Sequence, residues 1–280
     1  MIGPLPAVIS TQIPFLFDTL LDPDRSTPIV PVLFAAARQV ETLAMAPVAS
    51  VIAYALEGLH VVPVIAAETW NLLEQLSWQP RMIVLDGWDR ECYDTLRCRY
   101  PDTIVCVRVP MDTNLVKMAQ QGARVFHLTA NYHGYSGDQF VIDLILQAHQ
   151  SLVDANMREE VTLIGSGGII LAEHVPKAII CGLDAVGLDV ALAVALQARF
   201  SGECIDPEMA SLTFPRLNTD WGVQRLMNLA ASWRDQLLEV MGAMGMREVR
   251  RLRGEIGRCM FQKDLEREIF CGPGEEGSGI

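Results

Sequence analysis

The sequence predicts a parallel β/α barrel of the TIM type, a (β/α)8 barrel, allowing for an incomplete or irregular first strand. Short apolar runs alternate with longer amphipathic segments, and seven such runs plus an optional eighth can be counted. The stretch 161–189 contains strand, glycine turn, helix and strand in immediate succession. Regular alternation favours a parallel sheet, and the number of strands favours a closed barrel over an open doubly wound sheet.

Each predicted element rests on an apolar pattern and on a residue that ends it. The strands are rich in Val and Ile, and Gly58, Gly122 and Gly182 end three of the helices. The predicted strands are 28–36, 60–66, 81–85, 103–109, 124–129, 161–164 and 185–188, with the optional strand at 5–9 inside a Pro-rich lead-in segment, 1–25. The predicted helices are 40–56 with an interruption or restart at Pro47, 68–76, 91–100, 113–121, 140–156 and 171–181.

The alternation of short apolar runs and amphipathic segments ends near residue 200, which predicts a barrel over 1–200 and a C-terminal helical extension over 201–270. The extension has a loop at 201–220, an amphipathic helix at 221–241 and a basic stretch, MREVRRLRGEIGR. The basic stretch is either a solvated face or a salt-bridged contact with an acidic partner or the barrel. The Gly-rich and Glu-rich tail at 271–280 is predicted to be disordered.

Composition excludes several classes of function. The 280 residues are 50% hydrophobic with a net charge of −12, which suits a large globular core and disfavours nucleic acid as a partner. No apolar run has the roughly 18 residues of a membrane span, and no signal peptide is recognised, so we expect a cytoplasmic protein. Seven cysteines without close pairs predict reduced thiols, and no metal-ligand spacing is present.

Residues at the carboxyl ends of barrel strands are candidates for chemistry, because those ends form the active mouth of such barrels. The predicted strands place residues 36–38, Asp86, Arg108 and residues 129–133 there. A cation in the apolar run around Arg108 needs an anion, either a structural carboxylate such as Asp86 or a bound ligand. His133, in a glycine-bearing loop, is a candidate general acid or base or an ordinary surface histidine.

The glycine turn and the end of the last strand raise a second question. Gly167 and Gly168 either form a tight βα turn or allow backbone N–H groups to approach a phosphate. Asp189, at the end of the last strand, caps the next helix or lies near that phosphate, which it would repel unless it is protonated or paired.

Two segments carry a family resemblance. HQSLVDANMREEVTLIGSGGIILAEHVPKAIICGLDAVGLDVALAVAL and WRDQLLEVMGAMGMREVRRLRGE resemble the second half of the FMN-binding barrel of the glutamate synthase family and the segment that follows it. The resemblance extends over about residues 103–270. It implies FMN as a cofactor, with Arg108 near the flavin pyrimidine ring and His133 in a catalytic loop. The implied cofactor-binding residues are Arg108, Ser166, Gly167, Gly168 and Gly187.

Several positions depart from the family pattern. Asp189 replaces a glycine of the second phosphate loop, residues 33–38 read LFAAAR where the family has an early strand end, and no Gly-Glu-Gly-Gly loop is found. The cysteine cluster of the full enzymes is reduced to Cys204, and an N-terminal glutaminase cysteine is missing. We therefore expect no iron–sulfur cluster and no unaided synthesis of glutamate from glutamine.

The sequence leaves two functions open. The first is a glutamate synthase-like flavin oxidoreductase component that acts on C–N (amino or imino) substrates. It would form a homo- or hetero-oligomer with an electron-donor or glutaminase-type subunit. The second is a barrel without cofactor that serves as a structural or regulatory subunit of a larger complex.

Overall fold

Eight parallel strands close into a barrel, which confirms the predicted fold class. The computed structural model describes residues 8–20, 28–205 and 210–256. Each strand pairs with the next barrel strand along the chain, and the eighth pairs with the first, so the sheet closes. The strands are β1 (Phe15–Phe17), β2 (Ala44–Pro47), β3 (Val61–Ala66), β4 (Met82–Asp86), β5 (Ile104–Pro110), β6 (Val125–Thr129), β7 (Thr162–Ser166) and β8 (Ala185–Leu188).

Helices follow the strands and form the outer layer. A 3-10 segment, Trp70–Gln75, replaces the helix predicted at 68–76. Two short antiparallel hairpins are present, Tyr135–Ser136 with Gln139–Phe140 and Arg199–Gly202 with Ala210–Thr213. They lie partly in the segments 131–138 and 201–220, for which the sequence predicts loops. The α-helices are α1 (Ile29–Gln39), α2 (Val48–Ala53), α3 (Arg90–Arg99), α4 (Leu115–Gln120), α5 (Val141–Asp154), α6 (His174–Cys181), α7 (Val190–Ala195) and α8 (Thr219–Ala243).

The prediction for residues 28–56 was wrong in the type of element. The run 28–36 forms α1 rather than a strand, and 40–56 contains β2 before α2. A continuous apolar run does not distinguish a buried strand from a buried helix. Pro31 is tolerated because it lies in the first turn of α1, where backbone N–H groups have no intrahelical acceptor. Residues 36–38 therefore lie in a helix and not at the barrel mouth.

The first barrel strand lies inside the segment predicted as a lead-in. β1 covers only Phe15–Phe17, and it pairs with β8 on one side and with β2 on the other. The optional strand at 5–9 falls largely outside the described residues, and residues 8 and 9 are not in a strand. A run of three residues is too short for periodicity to identify.

The barrel interior is apolar up to its last layer. Alternate residues of the strands point inward, and Leu16, Met45, Val84, Cys106 and Ile164 belong to the inner cluster. A larger cluster fills the space between strands and helices. Burial raises the pKa of Cys106 to about 12, so its thiol stays protonated and serves packing.

Helix α8 packs on the barrel and completes its outer layer between α1 and α7. Trp233 contacts Phe15 edge to face with ring centroids 6.3 Å apart. A Cβ added at Gly222 would lie 2.9 Å from Val32, so α8 and α1 are in close contact. The domain boundary near residue 200 stays a prediction, and the extension beyond 256, with the tail at 271–280, lies outside the described residues. In the described part of the chain, no helix combines the length and apolarity that crossing a membrane requires.

A buried ion-pair network lies at the end of the barrel opposite the mouth. Arg158 is 4% exposed and donates to Val161 O at 2.7 Å, to Gly182 O at 2.6 Å and to Asp184 Oδ2 at 2.9 Å. Arg253, from the basic stretch, contacts Asp184 at 2.6 Å. The interpretation that this stretch forms salt bridges with the barrel is therefore confirmed at Arg253.

Arg250 and Arg251 of the basic stretch are solvated. They are 74% and 73% exposed, and within the described residues their ion pairs are long, 3.7 Å to Glu159 and 3.9 Å to Glu248. Both interpretations of this stretch hold, each for different residues.

Candidate functional site

A layer of polar side chains closes the barrel interior at the carboxyl ends of the strands, and we call this end the mouth. Alternate residues of a strand point toward the barrel axis. Lower in the barrel these residues are apolar, and at this level they are Arg108, His127 and Ser166. A cavity of about 530 Å³ lies above them, within the range of small-molecule sites. Its lining comprises Asp18, Thr19, Asp86, Arg108, Pro110, Thr129, Ala130, Asn131, Tyr132, Tyr135, Ser136, Gly137, Ser166 and Asp189.

The anion that Arg108 requires is Asp18, directly after β1. Arg108 Nη2 donates to Asp18 Oδ1, and the two side chains are 15% and 6% exposed. Burial by itself would raise the pKa of Asp18, but Arg108, His127 and hydrogen bonds from Thr19 and Ser166 hold that pKa below its usual value. Asp86, the carboxylate suggested by the sequence, is exposed in the cavity wall beside Arg108 in the β-sheet register.

His127 fixes the orientation of Arg108. Arg108 Nε donates to His127 Nδ1 at 3.2 Å, and a guanidinium has no acceptor, so Nδ1 carries a lone pair. The proton of the neutral ring is then on Nε2, which lies 2.9 Å from Ser166 Oγ and 3.4 Å from Asp18 Oδ2. Burial lowers the pKa of His127 to about 4, so the ring is neutral near pH 7.

This tautomer excludes one chemistry that the residue types suggest. Ser166, His127 and Asp18 have the composition of a hydrolytic triad, but a general base must accept the serine proton on an unprotonated nitrogen. His127 Nε2 carries a proton, and its other nitrogen is occupied by Arg108. The cluster therefore positions a cation at the mouth and does not activate Ser166 as a nucleophile.

Asp189 caps a helix at the edge of the cavity. Its Oδ1 accepts the Val190 N–H at 2.5 Å, which confirms the cap that the sequence allowed. The residue is 8% exposed. Burial, reinforced by the negative charge of Asp18, raises the pKa of Asp189 to about 7. Its carboxyl group is therefore partly protonated near neutral pH.

The Gly167–Gly168 turn is required by packing. Both glycines have positive φ angles, +96° and +70°. A Cβ at Gly167 would lie 2.2 Å from Ala130 O, and one at Gly168 would lie 2.6 Å from Gly134 Cα. The tight-turn interpretation thus accounts for both residues, and contact with a phosphate stays a prediction.

We expect Gly167→Ala to destabilise the fold by about 3 kcal/mol, since a left-handed backbone costs roughly 1–2 kcal/mol and steric overlap adds about 1–3. Gly137→Ala is the matched control, because Gly137 also has a positive φ, +58°, but nothing lies within 4 Å of an added Cβ. It should lose only about 1 kcal/mol. Urea unfolding compares the two, and equal losses would contradict the packing argument.

The remaining predicted site residues fall in different places. His133 is exposed in the loop between β6 and α5, and its backbone N–H donates to Asn131 Oδ1 at 3.0 Å. Gly187 faces the polar layer, where an added Cβ would lie 3.1 Å from Ser166 Cβ and 3.2 Å from His127 Nε2. Ser166 is buried against His127. The assigned roles of these residues stay predictions.

Sequence reasoning missed Asp18, Thr19 and His127. Asp18 and Thr19 follow a three-residue strand inside the supposed lead-in. His127 shares the inward parity of Val125 and Thr129 in VFHLT, and this signal was available once 124–129 had been recognised as a strand.

The fold and mouth define a (β/α)8 barrel with a charged ligand-sized cavity, and comparisons with known proteins show which part of the chain has known relatives. Residues 140–247 match the family model described as the conserved region in glutamate synthase. The archaeal glutamate synthase [NADPH] of Methanocaldococcus jannaschii is 33% identical over 137 residues, covering 44% of this chain and 26% of that protein. The archaeal glutamate synthase [NADPH] of Archaeoglobus fulgidus is 30% identical over 152 residues, covering 49% of this chain and 28% of that protein.

Solved structures with the same fold are much more distant in sequence. A mandelate oxidase with benzaldehyde has a TM-score of 0.63 at 16% identity, covering 87% of this chain and 78% of its own. A flavocytochrome b2 variant with sulfite has a TM-score of 0.60 at 14% identity, covering 96% and 77%. A mandelate oxidase with a monooxide FMN adduct has a TM-score of 0.58 at 16% identity, covering 85% and 77%.

The chain is a (β/α)8 barrel whose residues 140–247 are similar to the conserved region in glutamate synthase. It spans about a quarter of the length of the curated relatives that it matches. The match at 140–247 includes α5, β7, α6, β8, α7 and α8. The family region therefore supplies one half of the mouth, including Ser166 and Asp189.

Proposed function

We propose that the chain is an FMN-binding oxidoreductase component of glutamate synthase type, which acts on amino or imino substrates with electrons from a partner. The observation that carries the proposal is the cavity at the mouth, which has Arg108 in its floor and is built partly from the glutamate synthase region. Likeness to barrels that include an FMN-adduct structure supports the cofactor.

The residues at the mouth fit a flavin in two respects. Thr19 lines the cavity, and its Oγ is buried without a hydrogen-bond partner among the described residues, so a polar ligand that reached this atom would satisfy it. Arg108 uses Nε and Nη2 within the protein, and the guanidinium can offer its Nη1 donors to a ligand. FMN, when bound, supplies the hydride and electron transfer that these side chains cannot perform.

The protein's own contribution is orientation and electrostatics. Asp18 and His127 hold the Arg108 guanidinium in one place, so its positive charge is preorganised. Because Asp18 balances this charge, Arg108 contributes hydrogen-bond donors held in a fixed direction, and these act more strongly in a buried layer than those of an exposed arginine would. The same layer closes the barrel interior below the cavity and excludes water from that side.

A partner is part of the proposal. The relatives that carry this region are named as NADPH-dependent enzymes and are about four times longer than the segment matched. We infer that this barrel works in a homo- or hetero-oligomer with an electron-donor or glutaminase-type subunit.

A second function, a barrel without cofactor in a structural or regulatory role, is favoured by the charge of the mouth. Asp18, Asp86 and Asp189 line the cavity against one cation, Arg108, among the described residues. The glycine turn is also explained by packing alone. The departure at residues 33–38 no longer supports this alternative, because those residues lie in α1 rather than at a strand end.

Titration with FMN, followed by flavin absorbance and fluorescence, distinguishes the two functions. We expect a saturable complex with the wild-type protein, and Thr19→Val should weaken it about tenfold through the loss of one hydrogen bond. Thr95→Val is the control, since its hydroxyl donates to Glu91 O on the outer helix α3. A protein that stays colourless at saturating FMN would refute the flavin function and favour the barrel without cofactor.

A further inference from the structure

Asp189 lies in the mouth and forms no ion pair with a cation of the described residues. One of its oxygens accepts the Val190 N–H, and the residue lines the cavity. Thr19 lines the same cavity, and its hydroxyl group has no hydrogen-bond partner among the described residues. Asp189 is thus a buried carboxyl group in the wall of a cavity of ligand size.

The groups that face Asp189 compensate a negative charge on it only in part, because burial and Asp18 outweigh the effects of Arg108 and of the backbone N–H groups of Asp189 and Val190 on its pKa. Asp18, from the end of β1, is negative and already takes the Arg108 guanidinium. His127, from β6, is neutral because its Nδ1 accepts from Arg108, and Ser166, from β7, is an uncharged hydroxyl. Burial and the nearby Asp18 therefore both favour the protonated form of Asp189.

We propose that Asp189 couples ligand binding at the mouth to uptake of a proton, so that a phosphate-bearing ligand binds only when the Asp189 carboxyl is neutral. The proton comes from solvent and remains on the carboxyl group, and no covalent bond changes. A protonated carboxyl can donate a hydrogen bond to a phosphate oxygen, whereas a carboxylate repels the dianion. The inference rests on the proposed binding of FMN.

The test is calorimetric titration of the full chain with FMN and with riboflavin, which lacks the phosphate. Each titration is made at about pH 8 in two buffers of different ionisation enthalpy, so that the proton uptake on binding can be calculated. The wild-type protein should take up about one proton with FMN and none with riboflavin. Asp189→Asn keeps the helix cap, since Asn caps as well as Asp. It should take up none with either ligand.

Affinity provides a second readout. With a pKa of about 7 for Asp189, this carboxyl group is protonated in roughly a tenth of the wild-type molecules at about pH 8. Asp189→Asn should therefore bind FMN about tenfold more tightly than wild type near that pH, with the difference vanishing near about pH 5. The titration of the FMN phosphate itself cancels in this ratio.

The outcomes separate the two proposals. If the wild-type protein binds FMN without proton uptake and Asp189→Asn binds it equally well, the coupling is refuted while the flavin function stands. If neither protein binds FMN between about pH 5 and about pH 8, the flavin function and the coupling are both refuted. Riboflavin binding that shows the same proton uptake as FMN would also overturn the coupling to phosphate.

Discussion

Arg158→Met is expected to lower the free energy of unfolding by about 3 kcal/mol, at the lower end of the roughly 3–5 kcal/mol seen when a buried ion pair loses one member. Arg158 is 4% exposed and donates to Val161 O, Gly182 O and Asp184 Oδ2, so its removal leaves two carbonyls and part of a carboxylate without donors. The remaining contact of Arg253 with Asp184 keeps the loss from being larger.

Arg250→Met is the matched control for this prediction. Arg250 is 74% exposed and lies 3.7 Å from Glu159, so the same substitution should change the unfolding free energy by less than about 1 kcal/mol. Urea unfolding followed by tryptophan fluorescence measures both variants. Equal losses would mean that the buried network does not stabilise the end of the barrel opposite the mouth.

The second large effect has the opposite sign, because Asp189→Asn is expected to stabilise the protein at neutral and higher pH. The pKa of Asp189 is raised from 3.8 to about 7, so the folded state binds more protons than the unfolded state between these values. Stability from this group is complete below 3.8 and is lost as the pH rises to about 7. A shift of about three units corresponds to roughly 4 kcal/mol, which is the largest gain expected above pH 7.

Urea unfolding of wild type and Asp189→Asn from about pH 4 to about pH 8 tests this prediction. The two proteins should differ little at the acid end and diverge steadily as the pH rises. Asp86→Asn removes an exposed carboxylate from the same cavity wall and should change the unfolding free energy by no more than about 0.5 kcal/mol at any pH. A constant difference between wild type and Asp189→Asn would show that its ionisation does not burden the folded state.

The two predictions reflect two ways in which the barrel manages buried charge. Arg158 is surrounded by acceptors, so its charge is compensated and its removal is costly. Asp189 accepts hydrogen bonds from backbone N–H groups, and Asp18 beside it is already paired with Arg108. A negative charge on Asp189 therefore destabilises the folded state, and protonation removes it. A destabilising buried charge beside a ligand cavity is typical of residues that serve binding rather than stability.

The amino-acid sequence determined the second half of the barrel well. The sequence predicts residues 161–164, 185–188 and 124–129 as strands, because each is a short and largely apolar run ended by a glycine, a polar residue or the next helix. The family resemblance was also strongest there, and the matched region 140–247 lies in this half. Local pattern and global fold agree in this part of the chain.

The secondary structure of the first half of the barrel is harder to predict, because the local sequence pattern there does not indicate the element that the tertiary structure contains. The run 28–36 is apolar on every side, so it lacks the periodicity that separates helix from strand, and it forms α1. β1 has three residues and is held by pairing with β8, which is far away in sequence. Its existence depends on closure of the barrel, a property that no local window contains.

The sequence by itself determined the fold class, the family region and the need of Arg108 for an anion. Only the tertiary structure decided that this anion is Asp18, that His127 orients the guanidinium and that the Thr19 hydroxyl has no partner among the described residues. The reason is that Asp18 and Arg108 are 90 residues apart, and closure of the barrel between β1 and β8 brings them into one buried layer. The charge state of Asp189 depends on the same layer, since its pKa is raised by burial and by Asp18, and neither can be read from the residues beside it in the chain.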